Sequence, residues 1–164
     1  MNFISPYIEL PKKLKVKQNL TVYGKLYNVD DLENRIDYLS DQLRLTNLLD
    51  KITGELSSGQ KNRVSLAKAL INDPTVLLLD EPTASLDPET GDFVRTFLEN
   101  LKKEKKISVL LASHNMDEVK RLCGSVLMMK DGIIVDSGTP NDLILKHGRK
   151  NLEEVFLEIA RNKK

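Results

Sequence analysis

The chain has 164 residues, which is enough for one domain with a hydrophobic core but too few for two of ordinary size. Its 25 Lys and Arg residues nearly balance its 24 Asp and Glu residues, which argues against a dedicated nucleic-acid-binding protein, a class with a marked basic excess. A single cysteine, Cys123, excludes an intrachain disulfide, and the apolar runs are too short to cross a bilayer, so a cytoplasmic protein is expected.

The region 28–72 is predicted to be a helical subdomain. Apolar residues recur there at helical spacing after Asp30 and Asp31, which suit a helix start; they are Leu32, Ile36, Leu39 and Leu43. A further helix is predicted in "ELSSGQKNRVSLAKAL", with Ser57 or Ser58 as its N-cap and its end before Pro74.

The middle of the chain predicts a βαβ unit. "TVLLLDEP" and "ISVLLAS" are continuous apolar segments, typical of strands buried on both faces of a parallel sheet. Between them Asp87 and Pro88 are typical of an N-cap and a first helical position. Strand, helix and strand in this order predict parallel neighbours and an α/β fold.

The last forty residues predict a hairpin and helices. "SVLMMKDGIIVDSG" is typical of two strands joined at Asp131 and Gly132. Thr139 with Pro140, and further on Asn151, are typical of helix starts.

Polar side chains follow both central strands. Asp80 and Glu81 come directly after the first strand and His114 follows the second, so the carboxyl ends of a parallel sheet would bring them to one edge. An aspartate there can hold Mg²⁺, a glutamate can activate water, and a histidine can donate to a phosphate oxygen. The alternatives are that the carboxylates only end a strand and that the histidine is a satisfied polar residue.

The segment Ser57–Gly59 predicts an anion site. Backbone N–H groups at a helix start, two hydroxyls and a glycine that permits close approach together suit a phosphate. The basic residues Lys61 and Arg63, otherwise unfavourable near a helix N-terminus, fit the same interpretation, although solvent exposure alone would explain either.

These segments, taken in order, resemble the ATP-binding-cassette (ABC) ATPase family: "LSSGQ", "LLLDEP", "SLD" and "SHN". The resemblance implies a RecA-like P-loop NTPase core, partial in this chain, that uses ATP and Mg²⁺. It implies a signature motif at Leu56, Ser57, Ser58, Gly59 and Gln60, and a D-loop at Ser85, Leu86 and Asp87. It also implies that Asp80 binds Mg²⁺ through water, that Glu81 is catalytic, and that His114 is the switch histidine.

The family's phosphate-binding loop, G-x-x-x-x-G-K-[ST], does not occur in the sequence; Gly24-Lys25 is the only partial match. The segment Ser5–Tyr7 stands near the place of the family's Q-loop and contains no glutamine. We therefore expect a single ABC ATPase domain, 1–164, that corresponds to the last two-thirds of a cassette and is inactive alone. "NLTVYGKLYNV" and "NLEEVFLEIA" most resemble exporter cassettes of the multidrug and polysaccharide-efflux (ABC-2 type) branch.

The resemblance also implies partners. Two cassettes pair head to tail, so the signature motif would complete a second ABC ATPase subunit's site, and a membrane-spanning permease would hold the pair at the cytoplasmic face. No nucleic acid is expected. Two other functions stay open: a degenerate, non-catalytic cassette that only donates its signature motif, and a cassette of the translation or DNA-repair type.

Overall fold

The computed structural model describes residues 1–5, 9–84 and 86–161, which form two compact units, Met1–Ala112 and Ser113–Lys164. The first unit contains β1 (Asn2–Ile4), α1 (Val16–Leu26), α2 (Leu32–Gln42), the 3₁₀ turns Thr46–Leu48 and Thr53–Glu55, α3 (Ser58–Leu70), β2 (Val76–Asp80), α4 (Pro88–Glu104) and β3 (Ser108–Ala112). The second contains α5 (Met116–Leu122), β4 (Val126–Lys130), β5 (Ile133–Gly138), α6 (Pro140–His147) and α7 (Leu152–Arg161). In the described part of the chain, no helix is long and apolar enough to span a bilayer.

The first unit is built on a parallel sheet in the order β1-β2-β3. Leu78 of β2 lies opposite Phe3 of β1 and Leu110 of β3, with both pairings parallel. The βαβ prediction and the α/β fold class are thereby confirmed. The prediction that both strands are buried on both faces is wrong: buried and half-buried residues alternate along β2, and β3 contains no buried residue, with Leu110 64% exposed. The apolar segments predicted the strands correctly, but the cover on each face depends on what packs against the sheet. Fully buried apolar side chains come from β2 and from the helices around it; they include Leu20, Ile36, Leu66, Leu77, Leu79 and Leu98.

The helical region begins earlier in the chain than the apolar pattern predicts. Helix α1 starts at Val16, whereas the predicted helical subdomain starts at residue 28. Gly24 lies within α1, and glycine lowers intrinsic helix propensity by about 1 kcal/mol relative to alanine. A Cβ on Gly24 would lie 2.1 Å from Leu32 Cδ1, so the close packing of α1 on α2 requires glycine at this position. The same glycine weakens the helix pattern in the sequence, which is why α1 was not predicted.

Helices α3 and α4 start where local sequence predicts. Ser57 is the N-cap of α3: its hydroxyl accepts from Gln60 N at 3.3 Å, and Ser57 N donates to Gln60 Oε1 at 3.1 Å. This reciprocal arrangement satisfies two N–H groups at the start of the signature helix. Asp87 caps α4 with its side chain alone, accepting from Thr90 N at 3.0 Å, and Pro88 lies in the first turn.

The second unit packs a hairpin against three helices. Strands β4 and β5 are antiparallel and turn at Asp131 and Gly132, whose φ angles of 51° and 76° are those of a tight hairpin turn. The predicted hairpin is therefore confirmed. Its core consists of side chains from every element but β5: Val119, Val126, Met128, Leu143, Leu152 and Val155.

An ion-pair network joins the end of α6 to β5 and α7. Lys146 Nζ lies 2.6 Å from Asp136 Oδ1, and His147 Nε2 lies 2.8 Å from Asp136 Oδ2. On the other side of the ring, His147 Nδ1 lies 3.3 Å from Glu158 Oε2. The hydrogen bonds from Lys146 and His147 lower the pKa of Asp136 from 3.8 to about 2.

The low pKa of Asp136 predicts a pH-dependent stability of the second unit. Because the folded state favours the carboxylate, its stabilisation is present above pH 3.8 and is lost as the pH falls from about 4 to 2. We expect Asp136→Asn to flatten this part of the stability profile, measured by urea titration of α6 and α7 amide resonances at several pH values. Asp131→Asn, at the hairpin turn, is the control; equal slopes in wild type and Asp136→Asn would contradict the assignment.

Candidate functional site

The carboxylates predicted from sequence lie at the carboxyl end of β2. Asp80 is the last residue of the strand, and Glu81 follows it with a φ of 49°, in the left-handed region. Glu81 N donates to Ala112 O at 2.8 Å, which ties the residue to the end of β3. Strands β2 and β3 thus hold Glu81 in a backbone conformation that non-glycine residues seldom adopt.

Asp80 has a hydrogen-bond partner that the sequence analysis did not identify. Ser5, one residue beyond β1, donates from Oγ to Asp80 Oδ2 at 2.9 Å, and Ser5 is buried. Strand β1 pairs with β2 through Ile4 opposite Leu79, so the register carries Ser5 to the level of Asp80. Sequence alone marks Ser5 only as a residue near the place of the Q-loop glutamine; Pro6 and Tyr7 lie outside the described residues.

A cavity of about 270 Å³ in the first unit joins this edge of the sheet to the start of α3. Its lining combines carboxylates, hydroxyls, an amide and amines: Ser5, Glu9, Lys12, Ser58, Lys61, Asn62, Asp80 and Glu81. Its polar lining, which combines carboxylates with the ammonium groups of Lys12 and Lys61, suits a polyanion bound with a hard cation.

The signature residues divide between surface and core. Ser57 and Ser58 are exposed at the start of α3, whereas Leu56 and Gly59 are buried and Gln60 is half-buried. A Cβ on Gly59 would lie 3.1 Å from Thr90 Cγ2, so the glycine permits close packing of α3 on the start of α4. Only the two serines therefore present hydroxyls at the surface of this motif.

Arg63 does not contribute to the anion site predicted at Ser57–Gly59, although its place near Lys61 in the sequence fitted that interpretation. Its Nη1 donates to Leu43 O at 2.9 Å and to Arg44 O at 2.8 Å, so the guanidinium binds the carbonyls that follow α2. Burial, with the nearby Arg44, lowers the pKa of Arg63. Lys61 lines the cavity, so of these two basic residues only Lys61 keeps the anion role as a prediction.

The remaining predicted site residues lie in three places. Leu86 lines the cavity, Asp87 caps α4, and Ser85 lies outside the described residues. His114 follows β3 and belongs to the second unit, just before Asn115, the N-cap of α5. Its convergence with Asp80 and Glu81 therefore stays a prediction.

The donor set at the end of β2 fits Mg²⁺ held partly through water. Magnesium keeps several waters and takes one or two carboxylates together with substrate phosphates, rather than a complete protein cage. Asp80, oriented by the Ser5 hydroxyl, supplies such a carboxylate. The described residues contain no cluster of three or more His, Cys, Asp or Glu side chains arranged to hold a metal by themselves.

Comparison with solved structures supports the fold. An ATP-binding subunit of an ABC transporter superposes with a TM-score of 0.84 at 24% identity, covering 96% of this chain and 67% of that one. CbiO1 from Clostridium perfringens, described as part of the ABC transporter complex cbiONQ, gives a TM-score of 0.73 at 33% identity, covering 88% and 58%. The α/β, P-loop NTPase fold class expected from sequence is thus confirmed.

Sequence comparison gives the same likeness. Residues 4–84 match the family model described as ABC transporter. The ABC transporter ATP-binding protein NatA of Bacillus subtilis is 33% identical over 147 residues, 88% of this chain and 59% of NatA. The methionine import ATP-binding protein MetN of Streptomyces griseus is 44% identical over 155 residues, 86% of this chain and 43% of MetN.

The relatives differ from this chain in length, and one of them carries a direction of transport in its name. The chain spans 59% of NatA and 43% of MetN, so it corresponds to only part of these relatives. Because MetN is named for import, the comparisons do not support the efflux branch suggested by the two short segments. Residues 4–84 thus match the ABC transporter family, and the motifs, the fold and the matched relatives agree in a likeness to its ATP-binding subunits.

Proposed function

We propose that the chain forms part of an ATP-binding and ATP-hydrolysing cassette that drives transport across a membrane. The observation that carries the proposal is the pair Asp80 and Glu81 at the end of β2, fixed from both neighbouring strands. Ser5 holds the first carboxylate, and Ala112 O holds the backbone of the second. Paired carboxylates beside a cavity that also carries ammonium groups suit phosphoryl transfer from a nucleotide.

Each carboxylate has one role in this mechanism. Asp80 would hold Mg²⁺ through water, and the Ser5 hydroxyl fixes the orientation of the carboxylate. Mg²⁺, when bound, supplies positive charge that stabilises the transferred phosphoryl group. Glu81 accepts the proton of the attacking water, and His114 donates to a γ-phosphate oxygen.

The exposed serines of the signature motif are proposed to serve a second nucleotide. Ser57 and Ser58 lie at the surface and can contact ATP bound to a second ABC ATPase subunit in a head-to-tail dimer, which the D-loop segment 85–87 would adjoin. We propose a membrane-spanning permease as the further partner, with the dimer peripheral at the cytoplasmic face.

A chimaera tests this function. The phosphate-loop segment of the NatA relative is joined ahead of Met1, and phosphate release from MgATP is measured together with the oligomeric state. We expect ATP-dependent dimerisation and steady hydrolysis that requires Mg²⁺. A chimaera that folds and binds MgATP but releases no phosphate would contradict the catalytic assignment and favour a cassette that only donates its signature motif.

A further inference from the structure

The turn after β2 depends on a side chain from the signature helix. Asn62, on α3, donates from Nδ2 to Pro82 O at 2.8 Å across 20 residues of sequence. Pro82 directly follows Glu81, whose left-handed backbone is also held by its own N–H on Ala112 O and by Ala84 N donating to Glu81 O at 3.1 Å. The Asn62 side chain thus anchors the turn next to Glu81, the residue that carries the carboxylate.

The amide orientation of Asn62 is set by its partner. Pro82 O can only accept, so the Nδ2 side of the amide must face it, and Oδ1 then points away. That Oδ1 is buried without a hydrogen-bond partner among the described residues. A buried amide oxygen without a partner carries a desolvation cost, which indicates that the Pro82 contact governs the position of this side chain.

The same helix carries the residues proposed to meet a second nucleotide. Ser58 begins α3 and Asn62 lies one turn later, so both move together when the helix moves. Gly59 rests against Thr90 between them, which leaves little room for the start of α3 to bend independently. A displacement of the serines is therefore transmitted through Asn62 to the Glu81–Pro82 turn.

We propose that Asn62 is a positioning residue that couples the signature helix to the Glu81 carboxylate. Its hydrogen bond fixes the left-handed turn when α3 is in its observed place and releases the turn when α3 shifts. The coupling joins the contact with one nucleotide to the hydrolytic group of the other site. The catalytic part of this inference rests on the proposed function, whereas the mechanical link between α3 and the turn does not.

Amide hydrogen exchange on the chain without nucleotide tests the mechanical link. Asn62→Asp keeps the size of the side chain but sets an oxygen against Pro82 O, and Asn62→Leu removes the donor while favouring helix. We expect the amides of Glu81 and Ala84 to exchange about fivefold faster in both variants, with the interior amides of β2 unchanged. Either variant that folds suffices, because both remove the same donor.

Arg63→Met is the matched control. Arg63 is the next residue of α3 and also binds a backbone carbonyl 20 residues away, Leu43 O, but not the turn. We expect exchange at Glu81 to match wild type in this variant. Unchanged exchange at Glu81 in the Asn62 variants, or an equal increase throughout β2, would overturn the proposal.

The catalytic consequence is measured separately in the phosphate-loop chimaera. Asn62→Leu, which removes the donor without adding charge to the cavity that Asn62 lines, is expected to lower kcat at least fivefold and to leave KM for MgATP within about twofold, because the turn is displaced while the other nucleotide contacts remain. An unchanged kcat would refute the catalytic role. Loss of all activity in the unmodified chimaera would count against the proposed function and leave the exchange result standing.

Discussion

Glu81→Gln is expected to lower ATP hydrolysis by the phosphate-loop chimaera about 10²- to 10⁴-fold, the usual contribution of a general base. Glutamine has the shape of glutamate but cannot take a proton from water. The left-handed turn and the hydrogen bond to Ala112 O involve only the backbone, so the substitution leaves them intact. The measurement is single-turnover phosphate release, paired with equilibrium binding of MgATP, which we expect to persist.

Glu104→Gln is the matched control for this substitution. Glu104 is an exposed residue at the end of α4 and does not line the cavity near β2. Its variant should hydrolyse ATP at the wild-type rate. Retention of full activity in Glu81→Gln would exclude Glu81 as the base, whereas loss of MgATP binding would assign it to the nucleotide site instead.

Leu77→Ala is expected to destabilise the first unit by about 2–5 kcal/mol, which is a large part of the stability of a small domain. Leu77 is fully buried in the central strand β2, between Asn2 of β1 and Val109 of β3. Truncation removes apolar contacts and leaves a cavity that strands on both sides cannot close. Urea unfolding followed by tyrosine fluorescence measures the change.

The tyrosines make this measurement specific to the first unit. The chain has 4 tyrosines and no tryptophan, and every tyrosine precedes residue 39. Leu26→Ala, at the end of α1 with 69% of its surface exposed, is the control and should change the free energy of unfolding by less than about 0.5 kcal/mol. Equal losses in the two variants would mean that β2 does not lie in the core.

Several features of the fold follow from neighbouring residues and were predicted from them. Ser57 and Asp87 cap their helices with groups three residues away. Asp131 and Gly132 adopt the positive φ angles that a tight hairpin needs. The partners in each of these interactions lie within a few residues of each other, so the local residue types are enough to predict them. The parallel pairing of β2 with β3 followed from the order of strand, helix and strand.

Other features depend on which segments pack together. Helix α1 contains a glycine that weakens it locally and that only its packing against Leu32 explains. Arg63 could be solvated, bound to an anion or bound to carbonyls, and the position of α2 decides for the carbonyls. Neither the extent of α1 nor the contacts of Arg63 can be predicted from neighbouring residues, because each depends on a residue that lies far away in the sequence.

The candidate site shows the same division. The sequence determined that Asp80 and Glu81 follow an apolar strand and that Ser57–Gln60 begins a helix. Only the tertiary structure decided that Ser5 holds Asp80 across 75 residues and that Asn62 holds the turn after Glu81 across 20. The physical reason is that a hydrogen bond needs its donor and acceptor within about 3 Å, and packing of the sheet and α3 sets that distance.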